Sequence, residues 1–348
     1  MRGNMPRLLA PVMRFQGAIK VIEAGADELY CDVEMPIKHF SLYRGAEHCL
    51  STYDELKATV RYAHDHGVKV FITANMPFAA DRIEKDWREH ILRCLEQDID
   101  ALIVGDFGVL SVIKEINPGV PLLASTYFAS MNHETANFLR KLGFSRVILE
   151  RHLTIPEISQ IVRSSQVEIE VFVHGAGCSN INVNCYLFHY RYPPLTKALE
   201  DLDGFKNPCT LRFQIADSRT KEALGEAPVL DAFTFCSICH LPALVETGVA
   251  GLKIVGRGDF VAFQEGTTKV YRELLNLIAQ NRTEEFETRV SDLKNSFLPR
   301  PPMFANLKEV ACEQGRCFYN PLFHAPYKRQ LSWPAWLKYQ FKFLEHRK

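Results

Sequence analysis

Short apolar runs alternate with longer amphipathic segments along most of the chain. Residues 53–66, for example, carry apolar side chains at helical spacing, Gly67 follows them, and residues 68–74 form a nearly continuous apolar run. A glycine in this position is typical of a helix C-terminus, because glycine adopts the left-handed conformation that ends the helix. The pattern predicts eight strands, at residues 8–10, 28–31, 68–74, 101–104, 122–125, 146–149, 167–173 and 252–255.

The predicted strands are expected to form one parallel sheet. Nearly continuous apolar runs are typical of parallel strands that are covered on both faces, and helices connect such strands. Eight repeats of this unit predict a closed (β/α)8 barrel, with an open, doubly wound sheet as the alternative. We expect the barrel in residues 1–280, with a long insertion at about 175–240 between strands 7 and 8. Residues 281–348 are expected to form a C-terminal helical tail that packs on the barrel, with an amphipathic helix at 333–346.

Charge and hydropathy exclude some classes of protein. The 348 residues include 41 basic and 41 acidic side chains, so the net charge gives no general attraction to nucleic acid or to an anionic membrane, and we expect no DNA partner. The sequence has no apolar run of about 18 residues and no signal-peptide core, so we expect no membrane span and a cytoplasmic location. In a reducing compartment the ten cysteines are expected to be buried side chains or metal ligands, not disulfides.

Four cysteines lie in the predicted insertion, on the face where a barrel has its active site. Their spacing is irregular and matches neither a zinc ribbon nor a ferredoxin. A rigid barrel can still bring such residues together, and four soft thiolates select zinc or an iron–sulfur cluster. The alternative is a set of buried cysteines that fill a long loop. The four residues are Cys178, Cys185, Cys209 and Cys236.

The last of these cysteines also belongs to a second pattern. Residues 236–240, Cys-Ser-Ile-Cys-His, have the spacing of a haem-attachment site, but covalent haem attachment takes place outside the cytosol. A thioredoxin-like redox pair is a further alternative. We favour Cys236 as a metal ligand and Cys239 as a core residue at a helix start. Cys239 is the substitute ligand if Cys236 is not one.

Polar side chains follow several predicted strands, at the expected active face. His174, at the end of predicted strand 7, is a candidate proton donor or substrate-orienting group. The alternative is a hydrogen-bonded structural histidine. Lys253 and Arg257, in and after predicted strand 8, could together bind an anionic substrate. Lys253 could instead neutralise Glu150 or Glu170 inside the barrel. The adjacent Glu150 and Arg151 are site candidates unless they only pair with each other. The candidates are His174, Glu150, Arg151, Lys253 and Arg257, with Asn75, Asp106 and Tyr127 as further pocket-lining residues.

Several blocks of the sequence resemble one known family. Residues 170–178, Glu-Val-Phe-Val-His-Gly-Ala-Gly-Cys, are similar to the E-x-F-x-H-G-A-x-C signature of the collagenase-like peptidase family of unassigned catalytic type. Residues 207–213 resemble its Q-P-C-R segment, and residues 236–257 resemble its L-C-x-I to K-I-E-G-R block. The opening, residues 9–30, is similar to the family's first βαβ unit. The resemblance covers about residues 7–275.

The resemblance implies a barrel with a [4Fe–4S] cluster on Cys178, Cys185, Cys209 and Cys236. Members of the family act in oxygen-independent hydroxylation of a tRNA uridine, a ribosomal RNA cytidine or a ubiquinone precursor, with prephenate as the oxygen donor where the donor is understood. The implied substrate is therefore an RNA base or a quinone precursor. A protease, with a cysteine nucleophile and His174, and a non-catalytic iron–sulfur subunit of a heterodimer of related barrels are the alternatives.

This sequence departs from the family pattern at two positions. Val255 stands where the family has the glutamate of K-I-E-G-R, and Thr210 stands where it has the arginine of Q-P-C-R. The first departure removes a carboxylate from the expected active face. Both departures concern the substrate more than the cluster.

Overall fold

The computed structural model describes residues 5–34, 50–75, 84–177, 181, 212–228, 234–296 and 318–319. The strands are β1 (Arg7–Pro11), β2 (Glu28–Cys31), β3 (Lys69–Ala74), β4 (Ala101–Val104), β5 (Leu122–Ala124), β6 (Phe144–Ile148), β7 (Glu168–Ala176), β8 (Arg212–Ala216), β9 (Ala223–Pro228), β10 (Thr234–Cys236) and β11 (Gly251–Ile254). The helices are α1 (Phe15–Glu23), α2 (Tyr53–Asp65), α3 (Glu84–Leu95), α4 (Phe107–Ile116), α5 (His133–Lys141), α6 (Ile155–Ser164), α7 (Leu241–Thr247), α8 (Val261–Ala279) and α9 (Thr283–Ser296). Short 3₁₀ turns lie at Thr126–Phe128 and Ile238–His240.

Eight parallel strands close into a barrel. Strands β1 to β7 pair in sequence order, and β11 pairs with β1 on one side and with β7 on the other. Helices connect the parallel strands and cover the outside of the sheet, because a parallel connection must cross from one end of the sheet to the other. This arrangement confirms the predicted (β/α)8 barrel, and the open sheet is excluded.

The segment between β7 and β11 adds strands that do not belong to the barrel. β10 pairs antiparallel with the last residues of β7, so that Cys236 lies opposite His174. β8 and β9 form a separate antiparallel pair. The chain then returns to the barrel through α7, which ends at Gly248 with a φ of +81°. Glycine adopts this left-handed conformation without strain, as the sequence pattern predicts.

The described part of the tail begins with a helix whose position the sequence pattern did not specify. α9 packs on α8 through the apolar residues Phe286, Val290 and Leu293, which are buried, and through an ion pair between Arg289 and Glu273. These three apolar residues recur at helical spacing, which was the available signal. The predicted helix at 333–346 lies outside the described residues. None of the described helices has the length and apolar character that a membrane crossing needs.

The lower part of the barrel interior holds a buried network of charges. The guanidinium of Arg146 donates to both oxygens of Glu28, at 2.6 and 2.9 Å, and to Glu170 at 2.9 Å. Both carboxylates are almost fully buried, so each needs a cation at short range. Arg7 lies 3.1 Å from Glu28 and completes the set at the amino end of the strands. Arg146 therefore ties β2, β6 and β7 together inside the barrel.

We predict that Arg146→Met lowers the free energy of unfolding by about 3–5 kcal/mol, because it leaves two buried carboxylates without their main partner. Denaturant unfolding followed by circular dichroism measures the change. Arg163→Met is the matched control, since Arg163 is an exposed arginine on α6, and it should change the stability by less than about 0.5 kcal/mol. Equal small effects of both substitutions would show that the network does not stabilise the barrel.

Candidate functional site

Side chains from three strand ends meet at the carboxyl end of the barrel. Arg257, three residues after the end of β11, is 4% exposed, and its Nη1 donates to Thr73 Oγ1 at 2.5 Å. The same nitrogen lies 3.4 Å from Asp32 Oδ2, to which the Thr73 hydroxyl also donates at 3.0 Å. The Nε of Arg257 is buried and has no hydrogen-bond partner among the described residues. We call Asp32, Thr73 and Arg257 the mouth cluster.

The loop after β11 holds Arg257 in this position. Gly256 has a φ of +145°, and a Cβ at this residue would lie 2.5 Å from the carboxylate of Asp259, so only glycine fits here. The buried side chain of Gln264 donates to the carbonyl of Gly256 at 2.8 Å and fixes the turn to α8. Burial also raises the pKa of Asp259 to about 6. The loop is therefore a fixed turn that presents Arg257 to the barrel interior.

A histidine on helix α3 lies close to the carboxylate of Asp32. The ring of His90, on α3, has its Nε2 3.7 Å from Asp32 Oδ1 and its Nδ1 2.8 Å from the hydroxyl of Tyr53. Burial lowers the pKa of His90, which favours the neutral ring. A neutral ring with its proton on Nε2 accepts a hydrogen bond from Tyr53 and directs the N–H toward Asp32. Asp32 thus contacts a cation on one side and an imidazole on the other.

Lys253 belongs to the barrel interior and not to the mouth cluster. Its Nζ lies 3.9 Å from Glu170 Oε1 and 4.3 Å from the ring centroid of Tyr30. The Tyr30 ring is also 6.0 Å from the guanidinium carbon of Arg257, and its hydroxyl donates to the carbonyl of Ile254. The contact with Glu170 is the alternative that the sequence left open. These contacts therefore do not support the hypothesis that Lys253 and Arg257 bind one anion together.

His174 faces the helices outside the barrel. The register of β7 and β11 shifts, so that Phe172 pairs with Lys253 but His174 pairs with Ile254. Because neighbouring residues of a strand point to opposite faces, His174 lies on the side opposite to Lys253. Its Nδ1 lies 3.3 Å from the hydroxyl of Tyr271 on α8, and the residue is buried. This geometry matches the structural histidine of the sequence analysis, and the catalytic role stays a prediction.

The two candidates after β6 lie at the rim. Glu150 is buried, and its backbone N–H donates to the carbonyl of Ser130. Arg151 is half-buried, and its guanidinium lies 4.0 Å from the ring centroid of Phe172, a cation–π contact inside the rim. Among the described residues, the Nε and Nη1 of Arg151 have no hydrogen-bond partner. Arg151 is therefore placed to contact a ligand in the mouth.

Two of the weaker candidates have structural contacts. The carboxylate of Asp106 accepts hydrogen bonds from the backbone N–H groups of Gly108 and Val109, so it caps α4 instead of lining the pocket. Asn75 remains at the mouth, where its amide lies 3.4 Å from the hydroxyl of Ser125. The sequence showed only that these residues follow strands. This position does not separate a pocket-lining residue from a helix cap, because both occur where a strand leads into a helix.

Of the predicted cluster ligands, Cys178, Cys185 and Cys209 lie outside the described residues. Cys236 is half-buried at the end of β10, next to the carboxyl end of β7, and its carbonyl accepts a hydrogen bond from Phe318 N–H. This position is compatible with a ligand at the carboxyl end of the barrel. In the described part of the chain, no group of three or more His, Cys, Asp or Glu side chains is arranged to hold a metal ion.

The other described cysteines differ from Cys236. Cys239 is exposed, so the expectation of a core residue there is wrong; Ile238 takes the buried position of the same 3₁₀ turn. Cys31 and Cys94 are buried in the core, and burial raises the pKa of both thiols. A buried thiol that stays protonated is a poor nucleophile, so neither residue is a candidate for nucleophilic catalysis.

The sequence matches peptidase family U32 over residues 13–302, and the chain belongs to this family. The match confirms the resemblance that the signature at residues 170–178 carries. It also covers the mouth cluster, β7, the insertion and β11.

Curated relatives support the same assignment. The chain is 29% identical to the 23S rRNA 5-hydroxycytidine C2501 synthase of Escherichia coli over 84% of its length, which is 42% of that protein. It is 27% identical to tRNA hydroxylation protein P2 of Bacillus subtilis over 82% of its length, which is 91% of that protein. It is also 30% identical to a protein of Methanocaldococcus jannaschii named as an uncharacterized protease, over 79% of the chain and 66% of that protein. The chain thus spans less than half of the first relative.

Proposed function

We propose that this chain takes part in the hydroxylation of a base in RNA, at the carboxyl end of its barrel. Two of the relatives described above carry names of RNA hydroxylation proteins, and one of them is matched over nearly its whole length. The structural observation that carries the proposal is the mouth cluster, in which a buried arginine has an N–H group without a partner among the described residues. Such a group is suited to a substrate oxygen.

The residues of the mouth cluster have distinct roles in this proposal. Arg257 binds a carbonyl or anionic oxygen of the substrate through the part of its guanidinium that Thr73 and Asp32 do not use. Asp32 and Thr73 hold the guanidinium in one orientation, and the ring of His90 lies 3.7 Å from Asp32. Because these contacts are buried, the arginine is already oriented before a substrate arrives, and binding costs less conformational entropy.

A redox group is also part of the proposal. Cys178, Cys185, Cys209 and Cys236 would hold a [4Fe–4S] cluster, a group that can transfer electrons or act as a Lewis acid. The family resemblance further suggests that hydroxylation proceeds without molecular oxygen and takes its oxygen from a donor such as prephenate. Arg151, at the rim, is a second cation that an anionic donor could contact.

The protease alternative finds little support among the described residues. They include a contact between a cysteine and a histidine, with Cys94 Sγ 3.7 Å from His90 Nε2, but both residues are buried in the core. Burial raises the pKa of this thiol, so it does not form the thiolate that a nucleophile needs. The predicted partner of a catalytic cysteine, His174, faces Tyr271 instead. A quinone substrate and a heterodimer remain proposals without a specific contact in their favour.

We predict that Arg257→Lys lowers the yield of a hydroxylated nucleoside by about ten- to a hundredfold, because an ammonium cannot keep the contacts to Thr73 and Asp32 and also reach the substrate. Cells that lack the chain are complemented with wild-type or variant protein, and the nucleosides of their RNA are analysed by mass spectrometry. The expected product is a nucleoside that is heavier by one oxygen atom.

Two controls accompany this measurement. Arg163→Lys changes an exposed arginine on α6 in the same way and should leave the yield unchanged. Circular dichroism of both purified variants checks that they fold. A normal yield with Arg257→Lys would contradict the role of the mouth cluster, and a nucleoside profile that does not depend on the chain would contradict the proposed function.

We also predict about four irons and a similar amount of acid-labile sulfide per chain in protein purified without oxygen. The double substitution Cys178→Ala and Cys185→Ala should abolish both, together with the visible absorption of the cluster. Cys94→Ala is the control, because Cys94 is a buried core residue, and this variant should keep its iron. Wild-type protein without iron, with reactive thiols at Cys178 or Cys185, would contradict the cluster.

A further inference from the structure

A largely exposed aromatic side chain lies on the loop that carries Arg257 of the mouth cluster. Phe260 is 57% exposed and forms the N-terminal cap of α8, three residues after Arg257. Three residues of extended chain span at most roughly 11 Å, so the Cα atoms of the two residues are no farther apart than this. More than half of this apolar side chain is therefore accessible to a ligand.

Hydrogen bonds fix the backbone at Phe260. The carbonyl of Phe260 accepts hydrogen bonds from the N–H groups of Phe263, at 2.9 Å, and Gln264, at 3.1 Å, in the first turn of α8. On the other side, Gln264 donates to the carbonyl of Gly256 and Asp259 N–H donates to the same carbonyl at 3.0 Å. The side chain is therefore attached to a fixed turn, and contact with a ligand requires little ordering of the backbone.

Other aromatic rings near Arg257 are not accessible in this way. Tyr30 is buried and has Lys253 over its ring, and Phe172 is buried and has Arg151 over its ring. Phe107 is as exposed as Phe260, but it follows β4, which lies four strands from β11 on the opposite side of the barrel. Phe260 is thus the exposed ring that lies on the loop of Arg257.

We propose that Phe260 stacks on an unpaired base of the RNA substrate, next to the base that enters the mouth. This inference rests on the proposed function and names its substrate class, RNA whose target region is single-stranded. An enzyme that modifies a base must reach an atom that stacking and pairing cover, so the base has to leave the helix or be unpaired already. Aromatic side chains bind such bases face to face with little dependence on sequence. In a duplex, neighbouring bases occupy these faces.

The test compares the affinity of the full-length protein for a fluorescently labelled RNA of about ten nucleotides, of mixed sequence, with its affinity for the same RNA in a duplex. Phe260→Ala should weaken binding of the single strand by about 5- to 100-fold, the loss expected for one stacked base. Phe138→Ala is the matched control, because Phe138 is 53% exposed but lies within α5, on the side of the barrel. It should bind the single strand as the wild type does.

Two further substitutions separate stacking from other contacts. Phe260→Tyr keeps an aromatic face and should retain the affinity, whereas Phe260→Leu keeps apolar surface only and should lose it. Equal binding of single-stranded and duplex RNA by the wild type, equal affinities of Phe260→Ala and Phe138→Ala, or full affinity of Phe260→Leu would each overturn the inference. These measurements need no product, so they judge the role of Phe260 separately from the nucleoside analysis that tests the proposed function.

Discussion

The contact between Arg257 and Asp32, bridged by Thr73, is the interaction on which the candidate site depends. It joins the loops after β2 and β11 to the end of strand β3, and these segments are distant in sequence and meet only because the barrel closes between β11 and β1. A buried guanidinium needs an acceptor, and a buried carboxylate needs a cation. Each residue therefore fixes the other, and Thr73 satisfies both. Both contacts are made by Nη1, and the buried Nε has no hydrogen-bond partner among the described residues.

The buried charges of the barrel form two separate groups. Toward the amino ends of the strands, the charges of Arg146, Glu28, Glu170 and Lys253 neutralise one another in the interior. At the carboxyl ends of the strands, Asp32 neutralises the charge of Arg257, and Arg151 lies over the ring of Phe172. The separation explains why Lys253, although close in sequence to Arg257, has a structural partner. We expect the first group to stabilise the barrel, whereas the second lies at the carboxyl ends of the strands.

The fold could be predicted from the sequence because each strand is a continuous apolar run and each helix is amphipathic. The site was harder to predict, since local features decide it. A register shift between β7 and β11 turns His174 toward α8, and no periodicity shows such a shift. Asp106 follows a strand, as a site residue would, but caps the next helix. Asp32 directly follows the predicted strand 2, but a single carboxylate after a strand does not mark a site, because its partners Thr73 and Arg257 are distant in sequence.

The central claim is that this barrel promotes the hydroxylation of an RNA base without molecular oxygen. The most direct test grows cells with and without the chain in the absence of oxygen and compares the nucleosides of their RNA by mass spectrometry. The account predicts a nucleoside one oxygen atom heavier that is present only in cells with the chain. A nucleoside that forms only in the presence of oxygen would contradict the oxygen-independent reaction, and identical profiles in both strains would contradict the function itself.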